Sequence, residues 1–291
     1  MQKITKAVIP AAGFGTRFLP ATKSLPKEMF PIVDTPTLQY IVEEAAKSGI
    51  TDILIILGKN KKCIEDHFDY TVELETLLSS KGKTKELALI KDIANIAHIY
   101  YVRQKEMKGS GNAILEAKAF VGNEPFAVLF GDDVVFNEQK PCIGQLIEAY
   151  NATGKSIVGC QSVPRAEAVK YGVVKPGKVK GRYTELKGIA EKPAIDELPS
   201  TLVSMGRFVF TPDIFELIEQ TLPSPNGEIY LTGAIEKQAQ STGVFAYDFE
   251  GKRYDIGDKA GYVQASVEYS LRNEELREEM TTYIKALAQK L

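Results

Sequence analysis

Residues 3–36 read KITKAVIPAAGFGTRFLPATKSLPKEMFPIVDTP, and this stretch decides the fold. Its first part, residues 3–10, is rich in β-branched and apolar residues and reads as a buried strand. The strand runs into a small-residue loop, Ala11-Ala12-Gly13-Phe14-Gly15-Thr16-Arg17, and Lys27 follows Arg17 by ten residues. Backbone N–H groups in a glycine loop can cradle phosphate oxygens, and two fixed cations can neutralise a polyphosphate. The combination is equipment for a nucleoside triphosphate. A tight turn that binds nothing is the plain alternative for the two glycines.

Two commoner phosphate loops do not match. The dinucleotide fingerprint needs a third glycine where Phe18 stands, and a helix directly after the loop. Pro20, Pro26, Pro31 and Pro36 leave no room for a long helix. A Walker loop would need glycine where Ala149 precedes Gly154-Lys155-Ser156, and that tripeptide follows a helical pattern rather than a strand. It reads as a helix C-cap and turn.

Composition narrows the class further. The 291 residues are 44% hydrophobic and 25% charged, enough for one large domain or two ordinary ones. A net charge of −2 with interspersed signs gives no basic footprint for nucleic acid. No apolar run is long enough to span a membrane and no signal-peptide pattern opens the chain, so the expected location is the cytoplasm. Cys63, Cys142 and Cys160 read as reduced, mostly buried thiols. His67 and His98 are the only histidines, which argues against a histidine zinc site or Ser-His-Asp chemistry.

Further along, Thr35 is expected to cap a helix with Pro36 at its first position, continuing through Leu38, Ile41, Val42 and Ala45. Residues 52–57, 98–103 and 126–130 read as further strands, with a helix over residues 112–120. Alternation of this kind predicts an α/β fold, a doubly wound, mostly parallel sheet with helices on both faces. Ligands then bind beyond the carboxyl ends of the strands, where the glycine loop, Gln104 and Asp132-Asp133 all fall. Residues 59–97 form a charged insertion whose Ile64, Phe68, Val72, Leu74, Leu77 and Leu78 could make one apolar stripe. After Ser162 short β-rich runs predict a smaller mixed sheet over the mouth of the first. The expected division is a nucleotide-binding half (1–165), a sugar-phosphate half (166–258) and C-terminal helices (259–291). Those helices read as either an oligomer contact or a packed tail.

Asp132 ends one strand and Asp255 another, and an aspartate there can hold a hard cation. A helix cap or Asx turn is the alternative for Asp132-Asp133. Glu191-Lys192-Pro193 ends a third β-rich run, where a glutamate could take sugar hydroxyls and a lysine a phosphate. A plain surface turn would also explain it.

At this point the chain strongly resembles the bacterial UTP–glucose-1-phosphate uridylyltransferases (UDP-glucose pyrophosphorylases), a branch of the sugar nucleotidyltransferases. The likeness runs nearly end to end. It includes residues 8–36, NKKCIEDHFD (60–69), LFGDD (129–133), YGVV (171–174), EKP (191–193), GRFVFTPDIF (206–215) and YDIGDKAGY (254–262). The resemblance implies a Rossmann-like nucleotidyltransferase fold with a β-rich sugar-binding subregion. It assigns Ala11, Ala12, Gly13, Gly15 and Thr16 to the nucleotide, Arg17 and Lys27 to the triphosphate, Gln104 and the Gly109 backbone to the base, and Glu28 to a nucleotide contact. It assigns Asp132 to Mg2+ with Asp255 as a second ligand, Gly172 and Glu191 to the glucose ring, and Lys192 to its phosphate. Asn112 and Gly233 depart from the family pattern, where histidine and aspartate are common.

The implied reaction joins UTP and α-D-glucose 1-phosphate into UDP-glucose and pyrophosphate, with Arg17, Lys27, Asp132 and Lys192 as the catalytic set. The expected partners are these small molecules, with a dimer or tetramer of the chain itself. The alternatives are dTTP or ATP specificity in the same family, or an inactive regulatory subunit that binds sugar nucleotides. A nicotinamide-dependent oxidoreductase is disfavoured by Phe18 and the proline-rich loop.

Overall fold

Both faces of the first strand are buried. Ala7, Ile9 and Ala11 join one apolar cluster and Val8 joins another. A strand covered on both sides needs helices on both sides. The computed structural model describes residues 2–290 and has that layered form. In chain order the strands are β1 (Lys6–Ala11), β2 (Pro31–Ile32), β3 (Thr35–Pro36), β4 (Asp52–Leu57), β5 (His98–Arg103), β6 (Phe126–Leu129), β7 (Asp133–Phe136), β8 (Ser156–Ser162), β9 (Gly172–Lys180), β10 (Tyr183–Glu191), β11 (Leu202–Phe210), β12 (Val244–Asp248) and β13 (Lys252–Asp255).

Nine strands make one sheet in the order β5-β4-β1-β6-β11-β8-β12-β10-β9. The first four are parallel, which bears out the α/β expectation. β11 then enters antiparallel between β6 and β8, and the rest is mixed. The separate second sheet expected after Ser162 is therefore not separate. β11 pairs with both β6 and β8, so the β-rich strands extend the first sheet instead of lying over it. One face carries the helices Thr37–Lys47 and Cys142–Thr153, through Leu38, Ile41, Cys142 and Leu146. The other carries Gly109–Leu115, Ile214–Glu219 and Leu231–Ser241, through Ile114, Ile218 and Ile235.

Some local expectations shift. Thr35 and Pro36 belong to the short β2–β3 ribbon, and the helix starts at Thr37. Pro36 holds an extended ψ of 140°, and the Thr37 hydroxyl and N–H both donate to the Phe30 carbonyl. The helix expected over 112–120 is two pieces, Gly109–Leu115 and Lys118–Val121. The insertion is not one stripe. Ile64 and Phe68 are buried, whereas Val72, Leu74 and Leu77 are exposed on a helical hairpin, Val72–Ser80 and Thr84–Ala94, that buries none of its residues. Gly154 caps the helix before it in the left-handed conformation, as expected. No helix among the described residues is long and apolar enough to cross a membrane.

Candidate active site

The chain leaves β1 for β4 and β5 on one side, then returns to β6 on the other. β1 and β6 therefore flank a topological switch point, where the loops beyond two adjacent strands part and leave a crevice. The loop after β1 and the turn after β6 are neighbours for this reason. A Cβ on Gly131 would lie 3.1 Å from the Pro10 carbonyl oxygen and 3.4 Å from Glu28. In-register pairing also aligns Ala11, Leu57 and Arg103 across β1, β4 and β5. Ala12, Gly58 and Gln104 thus emerge side by side at the carboxyl edge. Gly58 has to be glycine, because a Cβ there would sit 2.5 Å from the Ala12 carbonyl oxygen.

The loop itself has no long helix, as expected, only the short turns Thr16–Phe18, Ala21–Lys23 and Lys27–Met29. Ala11 and Ala12 are buried, while Gly13, Thr16 and Arg17 are exposed. Gly15 has φ 66°, and its carbonyl accepts a 2.8 Å hydrogen bond from the Thr22 hydroxyl. Its open side lies against the Lys27 stem, 3.3 Å from where a Cβ would stand. The glycine thus lets the loop and the lysine meet. Phe18, the residue that broke the dinucleotide pattern, is an anchor. Its ring packs edge-on to Phe30 at 5.1 Å and to Tyr262 at 6.0 Å.

Lys27 forms an ion pair with Asp132. Burial works against the Lys27 charge, but Asp132, Glu28 and Asp255 more than restore it and raise its pKa above the ordinary value. Burial likewise opposes the Asp132 charge, yet Lys27, helped by Arg253, holds that carboxyl below the usual range. Asp255 faces the same space. A point one bond from Gly257 Cα lies 2.9 Å from Asp132 Oδ2 and 3.1 Å from Asp255 Oδ1. The Arg17 guanidinium donates to the Gly257 carbonyl at 3.3 Å, so the first loop closes onto the far end of the chain. Two carboxylates around one small gap suit a cation that takes one or two protein ligands and fills its shell with water and phosphate. No cluster of three or more His, Cys, Asp or Glu suited to a metal occurs among the described residues.

Asp133 has a different task. Its carboxylate accepts from Arg253 Nε at 2.6 Å and from the Gly206 N–H at 3.1 Å. Burial pushes its pKa up against the pull of Arg253. The Arg207 side chain is fully buried, donates to the Asp133 carbonyl at 2.6 Å, and pairs with Glu44 at 2.7 Å. These contacts hold the turn that carries Asp132.

The residues expected to hold the sugar phosphate also lie together. Register pairs Gly172 with Glu191, and a Gly172 Cβ would lie 3.6 Å from Glu191 Oε2. Lys192 is exposed, with φ 43° and its ammonium 6.0 Å from the centre of the Tyr230 ring. A lysine in the left-handed region costs energy, and such outliers gather at functional sites. Arg253 links this group to Asp255, since its Nη1 donates to the Tyr171 hydroxyl at 2.9 Å and that hydroxyl donates to Asp255 at 3.3 Å.

Two sequence-derived residues are engaged by neighbouring side chains. Glu28 is 1% exposed and its carboxylate accepts from Lys61, at 2.9 and 2.8 Å. Gln104 is buried and its amide nitrogen donates to Asn112 Oδ1 at 3.0 Å. Gly109 follows with φ 91°, pressed against the Ile229 carbonyl, which a Cβ would meet at 2.7 Å. Lys61, Arg207 and Arg253 escaped the sequence reading. Alternation in KRYD (252–255) puts Arg253 and Asp255 on one face of β13, a signal that could have found Arg253. Lys61 and Arg207 carried none, because long-range pairing has no local period.

Comparison with known proteins agrees along the whole length. A family model described as nucleotidyl transferase matches residues 6–271. The chain is 53% identical over 287 residues to UTP–glucose-1-phosphate uridylyltransferase 2 of Staphylococcus saprophyticus, covering 99% of each. A solved UDP-glucose pyrophosphorylase complexed with UDP-glucose superposes with a TM-score of 0.84 at 43% identity, over 93% of this chain and 100% of that one. A UTP-bound enzyme from Acinetobacter baumannii does so with a TM-score of 0.87 at 37% identity, over 97% of this chain and 98% of that one. With the switch-point crevice, the paired Lys27 and Asp132 and this full-length likeness together, the chain belongs to the nucleotidyl transferase family, among the UTP–glucose-1-phosphate uridylyltransferases.

Proposed function

We propose that this protein transfers a uridylyl group from UTP to α-D-glucose 1-phosphate, giving UDP-glucose and pyrophosphate. The observation that carries the reading is the convergence of Arg17, Lys27, Asp132 and Asp255 around Gly257, in a chain whose full-length relatives are named for this transfer. A phosphate oxygen of the sugar phosphate attacks the α-phosphorus. The new P–O bond forms as the α–β anhydride bond breaks, and pyrophosphate leaves with the electron pair. The attacking oxygen is already anionic, so no protein nucleophile is needed. Catalysis is positioning plus charge stabilisation.

Arg17 and Lys27 receive the charge that builds on the leaving pyrophosphate. Gly172 and Glu191 hold the glucose ring, and Lys192 its phosphate. Asp132 and Asp255 are the residues suited to hold Mg2+, which supplies neutralisation of the α- and β-phosphates when bound. We place the protein in the cytoplasm, as a dimer or tetramer.

The test is pyrophosphate release with magnesium, glucose 1-phosphate and each nucleoside triphosphate in turn. UTP is expected to give the highest specificity constant. A higher value with dTTP or ATP would overturn the uridylyl assignment, and no turnover with any would point to a binding subunit.

A further inference from the structure

Alternation along β13 puts Arg253 and Asp255 on one face, and register sets Asp255 directly opposite Asp133 of β7. Two carboxylates opposite each other on paired strands repel. Arg253 bridges them. Its Nε donates to Asp133 Oδ1 at 2.6 Å, its Nη2 lies 3.3 Å from Asp255 Oδ2, and its Nη1 donates to the Tyr171 hydroxyl at 2.9 Å. With that hydroxyl oxygen accepting from Arg253, its proton goes to Asp255 Oδ2 at 3.3 Å. Both contacts therefore fall on the same oxygen of Asp255. The other, Oδ1, takes no hydrogen bond from a side chain among the described residues. It is also the oxygen that shares the gap at Gly257 with Asp132 Oδ2, the two lying 3.1 and 2.9 Å from the point where a Cβ would stand. One carboxylate is thus divided between an oxygen that is held and an oxygen that is open.

We propose that Arg253 and Tyr171 are positioning residues, which by holding Asp255 Oδ2 aim Asp255 Oδ1 at Asp132 and so orient the two-carboxylate seat for a divalent cation. The inference rests on the uridylyl reading and on Asp255 as a ligand. It adds what fixes the rotation of that ligand. The positive charge of Arg253 disfavours a cation nearby, so its service is orientation and not attraction. A guanidinium suits the task because its rigid fork reaches Asp133, Asp255 and Tyr171 at once. A lysine carries the same charge on a single nitrogen and cannot keep all three. Tyr171 has a second contact that its hydroxyl does not share: its backbone carbonyl accepts from the Lys192 N–H at 3.1 Å.

Two variants remove the orientation without changing formal charge. Tyr171→Phe deletes the hydroxyl and keeps the ring and the backbone carbonyl. Arg253→Lys keeps a cation for the buried Asp133 and loses the fork. Magnesium affinity is read by calorimetric titration of Mg2+ into protein saturated with UDP-glucose, and again as the magnesium concentration at half-maximal turnover of UTP and glucose 1-phosphate. Both readings are expected to weaken about three- to ten-fold in Tyr171→Phe, the scale of one hydrogen bond, and about ten-fold or more in Arg253→Lys. At saturating magnesium, kcat of Tyr171→Phe is expected to return to near the parent value. Its KM for glucose 1-phosphate should also stay near the parent value, because the Lys192 contact is intact. An unmoved magnesium affinity in Tyr171→Phe, or in a folded Arg253→Lys, overturns the proposal. So does a fall in kcat that magnesium does not restore, which is the mark of a merely structural role. Asp255→Asn separates this inference from the reading beneath it. If that variant also leaves magnesium affinity unmoved, Asp255 is not a ligand and the inference falls with that assignment. If Asp255→Asn weakens the affinity and Tyr171→Phe does not, this inference alone falls. A parent that does not turn over UTP overturns the uridylyl reading, and this one with it.

Discussion

Lys27 and Asp132 neutralise each other, although they lie 105 positions apart in the chain. Each thereby keeps the other charged in a partly buried place.

Asp132→Asn keeps the size and removes the charge. Turnover at saturating UTP should fall roughly 10²–10³-fold, as for other preorganised charge stabilisers. The fold should survive, as judged by circular dichroism. Near-normal kcat across a magnesium titration would remove Asp132 from the mechanism. Lys27→Ala should cost a similar factor, and the double variant less than the product of the two, because the residues act as a unit.

Lys61→Met should unfold more easily. It leaves Glu28, which is 1% exposed, without its partner. Breaking a buried pair this way costs about 3–5 kcal/mol. Urea denaturation should show the loss, and Glu28→Gln added to Lys61→Met should recover part of it. Burial already pushes the Glu28 carboxyl up against Lys61, and without the lysine it rises further. A folded-state carboxyl above its unfolded value binds protons on folding. The deficit should therefore shrink as pH falls toward that raised value, and a pH-independent deficit would contradict the assignment.

Lys192→Gly separates strain from chemistry. With φ at 43°, the lysine backbone carries a cost of about 1–2 kcal/mol that glycine avoids. Glycine loses about 0.5–1 kcal/mol of chain entropy in return. The variant's melting temperature should be no lower than the parent's, while turnover falls about ten-fold or more through the lost charge. A clear drop in melting temperature with full activity would make Lys192 a structural residue.

Glu191→Ala should act on one substrate only. Removing an acceptor for sugar hydroxyls is worth roughly 1.5–3 kcal/mol, so KM for glucose 1-phosphate should rise about ten- to a hundred-fold. Affinity for UTP, measured by calorimetry without sugar, should stay near the parent value. Loss of UTP affinity with an unchanged sugar KM would break the division of the site.

Much of the site was legible because strand ends announce themselves. A β-rich run stopping at Ala11, Leu57, Arg103 or Leu129 places whatever follows at the carboxyl edge of a parallel sheet. Gly15, Gln104 and Asp132 were placed beyond the strand ends in that way. Register errors arose where a prolyl residue could serve two structures, as at Pro36, and where an apolar spacing crossed helix boundaries, as from Phe68 to Val72.

By itself the sequence determined the alternating elements, the strand ends and the absence of a long helix after the first loop. These follow from local preferences: β-branched runs, glycine punctuation and proline's missing N–H. Only the tertiary structure decided which side chains are spent on one another. Glu28 was taken by Lys61, Asp133 by Arg253, and the Gln104 donor by Asn112. A carboxylate or an amide looks alike in sequence whether it faces a substrate or a neighbour. The difference is made by strand order, which brings β6 beside β1 and β13 beside β7, and by burial, which forces every polar group it encloses to find a partner.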